Sequence, residues 1–414
     1  MARDVLVKTL TPDDHVVVVG AGFAGWRFVE ALRRDGFSGK VTLIGDERHP
    51  PYDRPPLSKN VLVGKWGVEK TTLATPEHLE RSGATMLLGV AATGLDVEST
   101  TVHLADGSSV RGSWVVIATG VRARYLGFSA DEQLHTIRSR DDVESLERAL
   151  SELSLGSIVA VIGGGFIGAE AATALRTRGL APIVLEAAPR PLIGILGPDV
   201  SLWLEDLAAL AGVELRTSQQ IVDVRVAEDG YRVSLKDDVD LVARAVIVGV
   251  GAVPNVEWLA TSGLEIDNGV VVDQNLVASG RVAAIGDVAR FDWRNMFGNE
   301  RVRIEHWQVA NDHAAHLSRI LVTGEPSPAL LIPYFWSDQY GKKIQLLGHP
   351  LASDHVEIVS GSVQEGKWTA IYARDGVVSG AVSLSQPRAL MLSKVLLEER
   401  TLLEDALTRA PWKA

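Results

Sequence analysis

The sequence contains no cysteine. That absence excludes disulfides, a thiolate nucleophile, a Cys-x-x-Cys redox pair and every cysteine-ligated iron–sulfur cluster. If electrons move through this protein, a bound organic cofactor must carry them. Long apolar runs are also missing: no uninterrupted stretch approaches the roughly 20 residues that a membrane-crossing helix needs, so an integral membrane protein is not expected. The first 14 residues lack the apolar core and small-residue cleavage site of a secretory signal, which leaves a cytoplasmic location as the expectation. Positive charge is in deficit. A net charge of −11 opposes a nucleic-acid partner, which would need clustered Lys and Arg against a repulsive background field. Low-complexity linkers and long charge runs are absent as well, and no metal site is expected.

What is present points to a multidomain enzyme. The 414 residues, 46% apolar and 22% charged, exceed what one ordinary core accommodates and predict a globular chain of two or three domains. Two stretches share one pattern, a β-branched run followed by a glycine-rich turn and an Ala/Leu-rich helical segment. The first is Val16-Val17-Val18-Val19-Gly20-Ala21-Gly22-Phe23-Ala24-Gly25, and the second is Ile158-Val159-Ala160-Val161-Ile162-Gly163-Gly164-Gly165-Phe166-Ile167-Gly168. Second strands at 40–45 and 181–186 complete two β-α-β units. Apolar runs ending in glycine, 115–120 and 245–251, read as buried parallel strands that close each unit. A further buried strand at 283–287 implies that the first domain resumes after the second, making the second an insertion. From about Glu325 the pattern changes to short alternating strands at 343–347, 356–359, 369–372 and 377–383, then a helix near 388–400. The predicted class is α/β: two Rossmann-like dinucleotide-binding domains, one inserted in the other, plus a C-terminal α+β domain. The expected boundaries are 1–121 with 252–325, 122–251, and 326–414.

A single glycine motif also marks ordinary turns, but here the whole constellation occurs twice. Gly20 permits the tight turn, Gly22 lets the backbone approach a pyrophosphate, and Gly25 allows close helix–strand packing, while the helix N-terminus supplies amide donors. Gly163, Gly165 and Gly168 repeat these roles, with Phe166 and Ile167 inside the second turn and Gly251 ending its closing strand. After each second strand an acid stands where a ribose diol would sit: Asp46 or Glu47 in the first unit, Glu186 in the second. No arginine immediately follows Glu186, so a 2′-phosphate would meet a carboxylate with little compensation, which favours NADH over NADPH. Arg190, four residues on, would oppose that preference if its loop folded back, and is otherwise a solvated loop charge.

Between the first acid and the next helix runs Pro51-Tyr52-Asp53-Arg54-Pro55-Pro56-Leu57-Ser58-Lys59. Further on stand Ala118-Thr119-Gly120 with Arg124, Gly249-Val250-Gly251-Ala252-Val253-Pro254-Asn255, Ile285-Gly286-Asp287-Val288-Ala289, Glu305-His306-Trp307 and Pro333-Tyr334-Phe335-Trp336-Ser337-Asp338-Gln339-Tyr340. With these motifs the sequence resembles, over nearly its whole length, the FAD-dependent ferredoxin reductases of oxygenase systems, within the glutathione-reductase-like superfamily. The resemblance implies FAD as cofactor and NADH as co-substrate. It also implies a [2Fe-2S] ferredoxin as partner and, through it, a P450 or ring-hydroxylating oxygenase.

It further implies site residues. Ala24, Arg54, Ala118, Thr119, Gly120, Arg124, Gly286, Glu305 and His306 would join the first glycine turn around FAD, and Asp287 would hold the ribityl chain unless it caps a helix. Lys59 would lie near flavin N5 with Glu170 as its partner on the nicotinamide side, though each alone reads as a surface charge. Trp307 would begin a helix facing the flavin, or pack a core. Trp336 would flank the flavin from the C-terminal domain, or serve packing only. His306 needs no acid–base role, because hydride transfer from nicotinamide to flavin requires no protein base.

The missing cysteines agree with this resemblance, since the related disulfide reductases need a Cys pair where this chain has Arg54-Pro55-Pro56-Leu57-Ser58-Lys59. Two positions depart from the family pattern: Gly194, where arginine is common, and Ala208, where histidine is often found. Arg122, Arg124, Arg301 and Arg303 are basic candidates for ferredoxin contact. The alternatives are an NADH-binding interaction protein like apoptosis-inducing factor, and a rubredoxin reductase or cysteine-free NADH oxidase.

Overall fold

The structure is a computed structural model that describes residues 9–236, 239–295, 298–325 and 332–413. Its contacts divide the chain into two compact units. One comprises Met1–Asp53, Thr72–Arg122 and Val253–Leu331, and the other Arg54–Thr71, Ala123–Ala252 and Ile332–Ala414.

In the first unit the valine run His15–Val19 is buried on both sides, as its β-branched composition requires. It pairs in parallel with Lys40–Gly45 on one side and with Trp114–Ile117 on the other, Val17 lying opposite Thr42 and Val115. Thr85–Leu88 and Val282–Ala284 extend the sheet in parallel, and Val277–Ser279 adds an antiparallel edge. The helix Phe23–Arg34 lays Trp26, Phe28, Val29 and Leu32 against this sheet, and the long helix Trp307–Thr323 packs beside it through Val309, Leu317 and Leu321.

The second unit repeats the plan. Ile158–Ile162 sits between Ala181–Leu185 and Ala245–Val248, all parallel, with Glu214–Arg216 at the far edge and the helix Phe166–Thr177 crossing over. Its C-terminal stretch forms a five-stranded antiparallel sheet in the order Tyr334–Gln339, Lys342–Gly348, Val377–Leu384, Lys367–Arg374, His355–Ser362. The expected α/β class, with two Rossmann-like sheets and an α+β tail, is what the chain adopts.

Local differences have physical causes. The closing strands end at Ile117 and Val248, short of Gly120 and Gly251, whose φ of 63° and 91° lie outside strand geometry. The run expected as a strand at 283–287 is a strand only over Val282–Ala284. Gly286, with φ of 71°, then turns the chain into the 3₁₀ turn Gly286–Val288. The single helix expected at 388–400 is two, Pro387–Leu392 and Lys394–Glu398. Between them the Ser393 amide tightens onto both Ala389 and Leu390 carbonyls, and its hydroxyl takes Ala389 again at 2.9 Å. Ile193–Leu210 is kinked at Gly197, and its residues Leu196, Val200 and Leu204 pack with Trp368, Tyr372 and Val382 of the C-terminal sheet.

The segment Arg54–Thr71 follows the first β-α-β unit in sequence but is packed into the second unit. Leu62 is fully buried there with Leu146, Val161 and Leu175. Arg54 donates to the Arg138 carbonyl at 2.6 Å, Arg178 to that of Leu62 at 3.1 Å, and buried Arg140 to the Thr71 hydroxyl at 2.9 Å.

Candidate functional site

Each sheet carries a glycine cradle, and the two are nearly superimposable in their constraints. At Gly20 the backbone has φ of 119°, and a Cβ there would stand 2.1 Å from the Ala118 carbonyl oxygen. At Gly163 φ is 101°, and a Cβ would stand 2.5 Å from the Gly249 oxygen. Gly25 and Gly168 are each forced by the carbonyl at the start of their own turn: added Cβ atoms would meet Gly20 O at 2.0 Å and Gly163 O at 1.9 Å. Gly22 and Gly165 differ. They are the N-caps of Phe23–Arg34 and Phe166–Thr177, and a Cβ at either would meet no heavy atom within 4 Å. Nothing in the fold demands glycine there. Their freedom opens space over a helix N-terminus whose first amides lack carbonyl partners, which suits a pyrophosphate.

Around the first cradle, Gly286 approaches the Phe23 helix so closely that a Cβ would stand 2.8 Å from that of Ala24. The Gly286 amide donates to Nδ1 of His313 at 3.3 Å, which fixes that ring as the neutral tautomer with its proton on Nε2. Burial, helped by the neighbouring His316, pushes His313 down to about 3. Asp287 follows in the same turn. Thr119 donates to the Asn255 carbonyl and Asn255 to that of Thr119, both at 2.8 Å. Trp307 opens its helix, stands 4.3 Å from Phe23 between ring centroids, and donates to Asp53 at 2.9 Å, leaving 38% of the residue exposed. His306 is its N-cap, and Glu305 pairs with Arg303 at 2.6 Å. Of the two candidate ribose acids, Asp46 is exposed, whereas Glu47 accepts the Tyr52 hydroxyl at 2.5 Å.

Around the second cradle, Glu186 is held by two backbone amides at 2.7 Å, Gly164 on one oxygen and Ala188 on the other. Arg190 is turned to Glu205 at 3.5 Å. Phe166 lies 4.4 Å from Phe335, Ile167 is exposed in the same helical turn, and the Gly251 carbonyl accepts the Arg124 amide at 3.1 Å. Lys59 and Glu170 form an ion pair at 2.8 Å, with Glu170 only 3% exposed. The carboxylate also accepts the hydroxyls of Ser58 and, at 2.5 Å, of Ser337. Trp336 stacks on Tyr334 at 5.9 Å.

The first unit thus gathers Gly20, Gly22, Ala24, Gly25, Asp46, Glu47, Ala118, Thr119, Gly120, Gly286, Asp287, Glu305, His306 and Trp307. The second gathers Arg54, Lys59, Arg124, Trp336 and every residue named for the nicotinamide nucleotide. Sequence reasoning did not single out Asp53, Asn255, His313, Ser58 or Ser337. Asp53, Ser58, Asn255 and Ser337 lie inside motifs already noted, and adjacency to a singled-out residue was the available signal. His313 carried none. Three of the four basic ferredoxin-contact candidates are engaged: Arg122 with Glu257 at 2.6 Å, Arg301 with Glu265 and Asp292, Arg303 with Glu305. Among the described residues no acid–histidine cluster could hold a metal ion, and no helix is long and apolar enough to cross a membrane.

Comparison with known proteins agrees with this geometry. A family model for pyridine nucleotide-disulphide oxidoreductases matches residues 14–314, and one for the reductase C-terminal domain matches residues 334–411. Rhodocoxin reductase of Rhodococcus erythropolis is 34% identical over 92% of this chain and 89% of its own. The ferredoxin–NAD(+) reductase subunit of the benzene 1,2-dioxygenase system of Pseudomonas putida is 31% identical over 94% of each. The solved covalent putidaredoxin reductase–putidaredoxin complex matches with a TM-score of 0.90 at 30% identity, covering 96% of both chains. Two glycine cradles, a match over most of the length and relatives of nearly equal extent all agree: the chain belongs to the pyridine nucleotide-disulphide oxidoreductase family and carries the reductase C-terminal domain.

Proposed function

We propose that this protein is an NADH-dependent, FAD-containing ferredoxin reductase, whose [2Fe-2S] ferredoxin partner supplies a P450 or ring-hydroxylating oxygenase in the cytoplasm. The observation that carries the reading is a pair of glycine cradles in a chain without cysteine. Two dinucleotides fit, and no thiol pair stands between them and an external acceptor.

FAD, when bound, accepts two electrons as a hydride and releases them singly, which matches NADH to a one-electron iron–sulfur partner. The chain's own residues do the holding. Gly22 leaves the Phe23 helix amides open to a pyrophosphate, with Glu47 or Asp46 for the ribose and Asp287 for further hydroxyls. Gly165 does the same at the Phe166 helix. Glu186, fixed by the Gly164 and Ala188 amides, presents an oriented carboxylate to a 2′,3′-diol and repels a 2′-phosphate. The Lys59–Glu170 pair places a fixed positive charge beside a buried negative one. No side chain needs to form a covalent bond with substrate.

The test is stopped-flow reduction of the flavin by NADH and, in parallel, by NADPH, followed by turnover with a [2Fe-2S] ferredoxin coupled to cytochrome c. Fast reduction by NADH and a ferredoxin-dependent cytochrome rate are expected. Flavin reduction with no ferredoxin-dependent rate would overturn the assignment.

A further inference from the structure

A buried carboxylate is costly unless its lone pairs are met, and one lysine meets only part of that demand at Glu170. The remaining donors arrive from two distant stretches. Ser58, beside Lys59, donates to the same oxygen, Oε2, that receives Lys59. Ser337, on the strand Tyr334–Gln339, donates to Oε1 at 2.5 Å across 167 residues of sequence. Ser337 is itself fully buried, and its hydroxyl oxygen accepts the side-chain amide of Gln339 at 3.0 Å. An amide N–H can only donate, so the Ser337 proton is left to point at Glu170. The chain of bonds is therefore directional, from Gln339 to Ser337 to Glu170, with Lys59 held at the opposite oxygen.

Charge compensation alone does not need this. A carboxylate and an ammonium at 2.8 Å already neutralise each other, whereas a serine donor on the far oxygen adds no charge and removes a rotation. With Ser58 and Lys59 on one oxygen and Ser337 on the other, the carboxylate plane is fixed, and the ammonium is fixed with it. We propose that Ser337, oriented by Gln339, is a positioning residue: through it the C-terminal sheet sets the direction of the Lys59 ammonium within the second unit. The proposal rests on the NADH reductase reading for its kinetic consequence, but not for its geometric one.

Two readouts on the holoenzyme keep these apart. The first is the rate at which an amine-selective acylating reagent modifies Lys59, followed by peptide mass spectrometry. Ser337→Ala should raise that rate several-fold, because the carboxylate gains freedom and the ammonium spends time unbound. The second is a double-mutant cycle on flavin reduction by NADH without ferredoxin. Ser337→Ala should slow reduction about tenfold, the scale of one hydrogen bond to a charged group, yet slow it no further in a Lys59→Met background. Loss of packing alone would cost the same in both backgrounds. Unchanged Lys59 labelling, or equal slowing with and without Lys59, would overturn the proposal. If wild-type flavin is not reduced by NADH, the reductase reading falls while the labelling result still decides the positioning role. Should Ser337→Ala fail to fold, Gln339→Met leaves the serine in place, removes only the donor that orients it, and should give the same labelling increase in weaker form.

Discussion

The buried phenol of Tyr372 donates a 2.7 Å hydrogen bond to the carbonyl of Leu196, at the point where the Ile193–Leu210 helix leaves helical geometry. The non-helical Gly197, with φ of 77°, interrupts the helix directly after Leu196, and the Leu196 carbonyl takes a side chain as a partner there. Burial, with Asp354 and Asp199 nearby, raises the tyrosine above its ordinary range and keeps it a donor at every physiological pH. Tyr372→Phe should strand that carbonyl and destabilise the second unit by about 1–3 kcal/mol. Urea unfolding followed by tryptophan fluorescence checks this, Trp203 and Trp368, which meet in this core at 4.8 Å, being two of the ten tryptophans that contribute. A midpoint equal to wild type would show that water replaces the phenol.

Acid should weaken the first unit through His313. Its folded pKa is near 3 against 6.5 for the free side chain. The native state therefore binds fewer protons than the unfolded state between those values. Stability is fully present above about pH 6.5 and falls on acidification as the pH drops toward the folded value. His15 in the same unit, lowered chiefly by burial, acts in the same direction, as does His135 in the second unit. His313→Gln keeps an acceptor for the Gly286 amide without a titrating ring. Denaturation curves between pH 6.5 and 4 should show a shallower acid slope for this variant, and equal slopes would remove His313 from the account.

The two cradle glycines without steric reason to be glycine offer a separation of folding from binding. Gly22→Val should fold with a near-normal apoprotein midpoint, since its Cβ meets no neighbour within 4 Å. It should nevertheless lose bound flavin, seen as a fall in absorbance near the flavin maximum relative to protein. Gly25→Val should lose both, because its Cβ would stand 2.0 Å from a backbone oxygen. A flavin-replete Gly22→Val would mean that the first cradle is not the FAD site.

Coenzyme choice should respond to Glu186. Glu186→Gln keeps an acceptor for one backbone amide and removes the charge that a 2′-phosphate would meet. The ratio of kcat/KM for NADPH over NADH should rise about tenfold, equivalent to ~1.4 kcal/mol of relieved repulsion. No change in that ratio would assign the discrimination to some other group.

The glycine cradles were legible in the sequence because much of their constraint is local: the turn, the helix start and the approach of Gly25 to Gly20 O or of Gly168 to Gly163 O fall within a few residues, although the carbonyls that crowd Gly20 and Gly163 come from Ala118 and Gly249. Glu186 was legible for the same reason. What could not be read was pairing over distance. Trp307 meets Asp53 across 254 residues and Glu170 meets Ser337 across 167, and periodicity carries no information about such partners. The sequence predicts strands and one helix for the tail, but the break at Ser393 goes with its hydroxyl and amide both turning back onto the Ala389 carbonyl, a bond that the alternation of residues does not encode. His313 left no trace at all, because a histidine's burial is decided by the elements around it.

The placement of Arg54–Thr71 has a consequence for recombination between relatives. Each unit is assembled from three separate stretches of chain, so neither is a module that can be cut out at one pair of breakpoints. A chimera that exchanged only Ala123–Ala252 to alter coenzyme preference would set a foreign Glu170 equivalent against the resident Ser58, Lys59 and Ser337. Every donor to a buried carboxylate would then come from a sequence that did not evolve beside it. Inheritance in this architecture runs through the buried charge, and a working graft has to carry Arg54–Thr71 and the strand Tyr334–Gln339 along with the sheet.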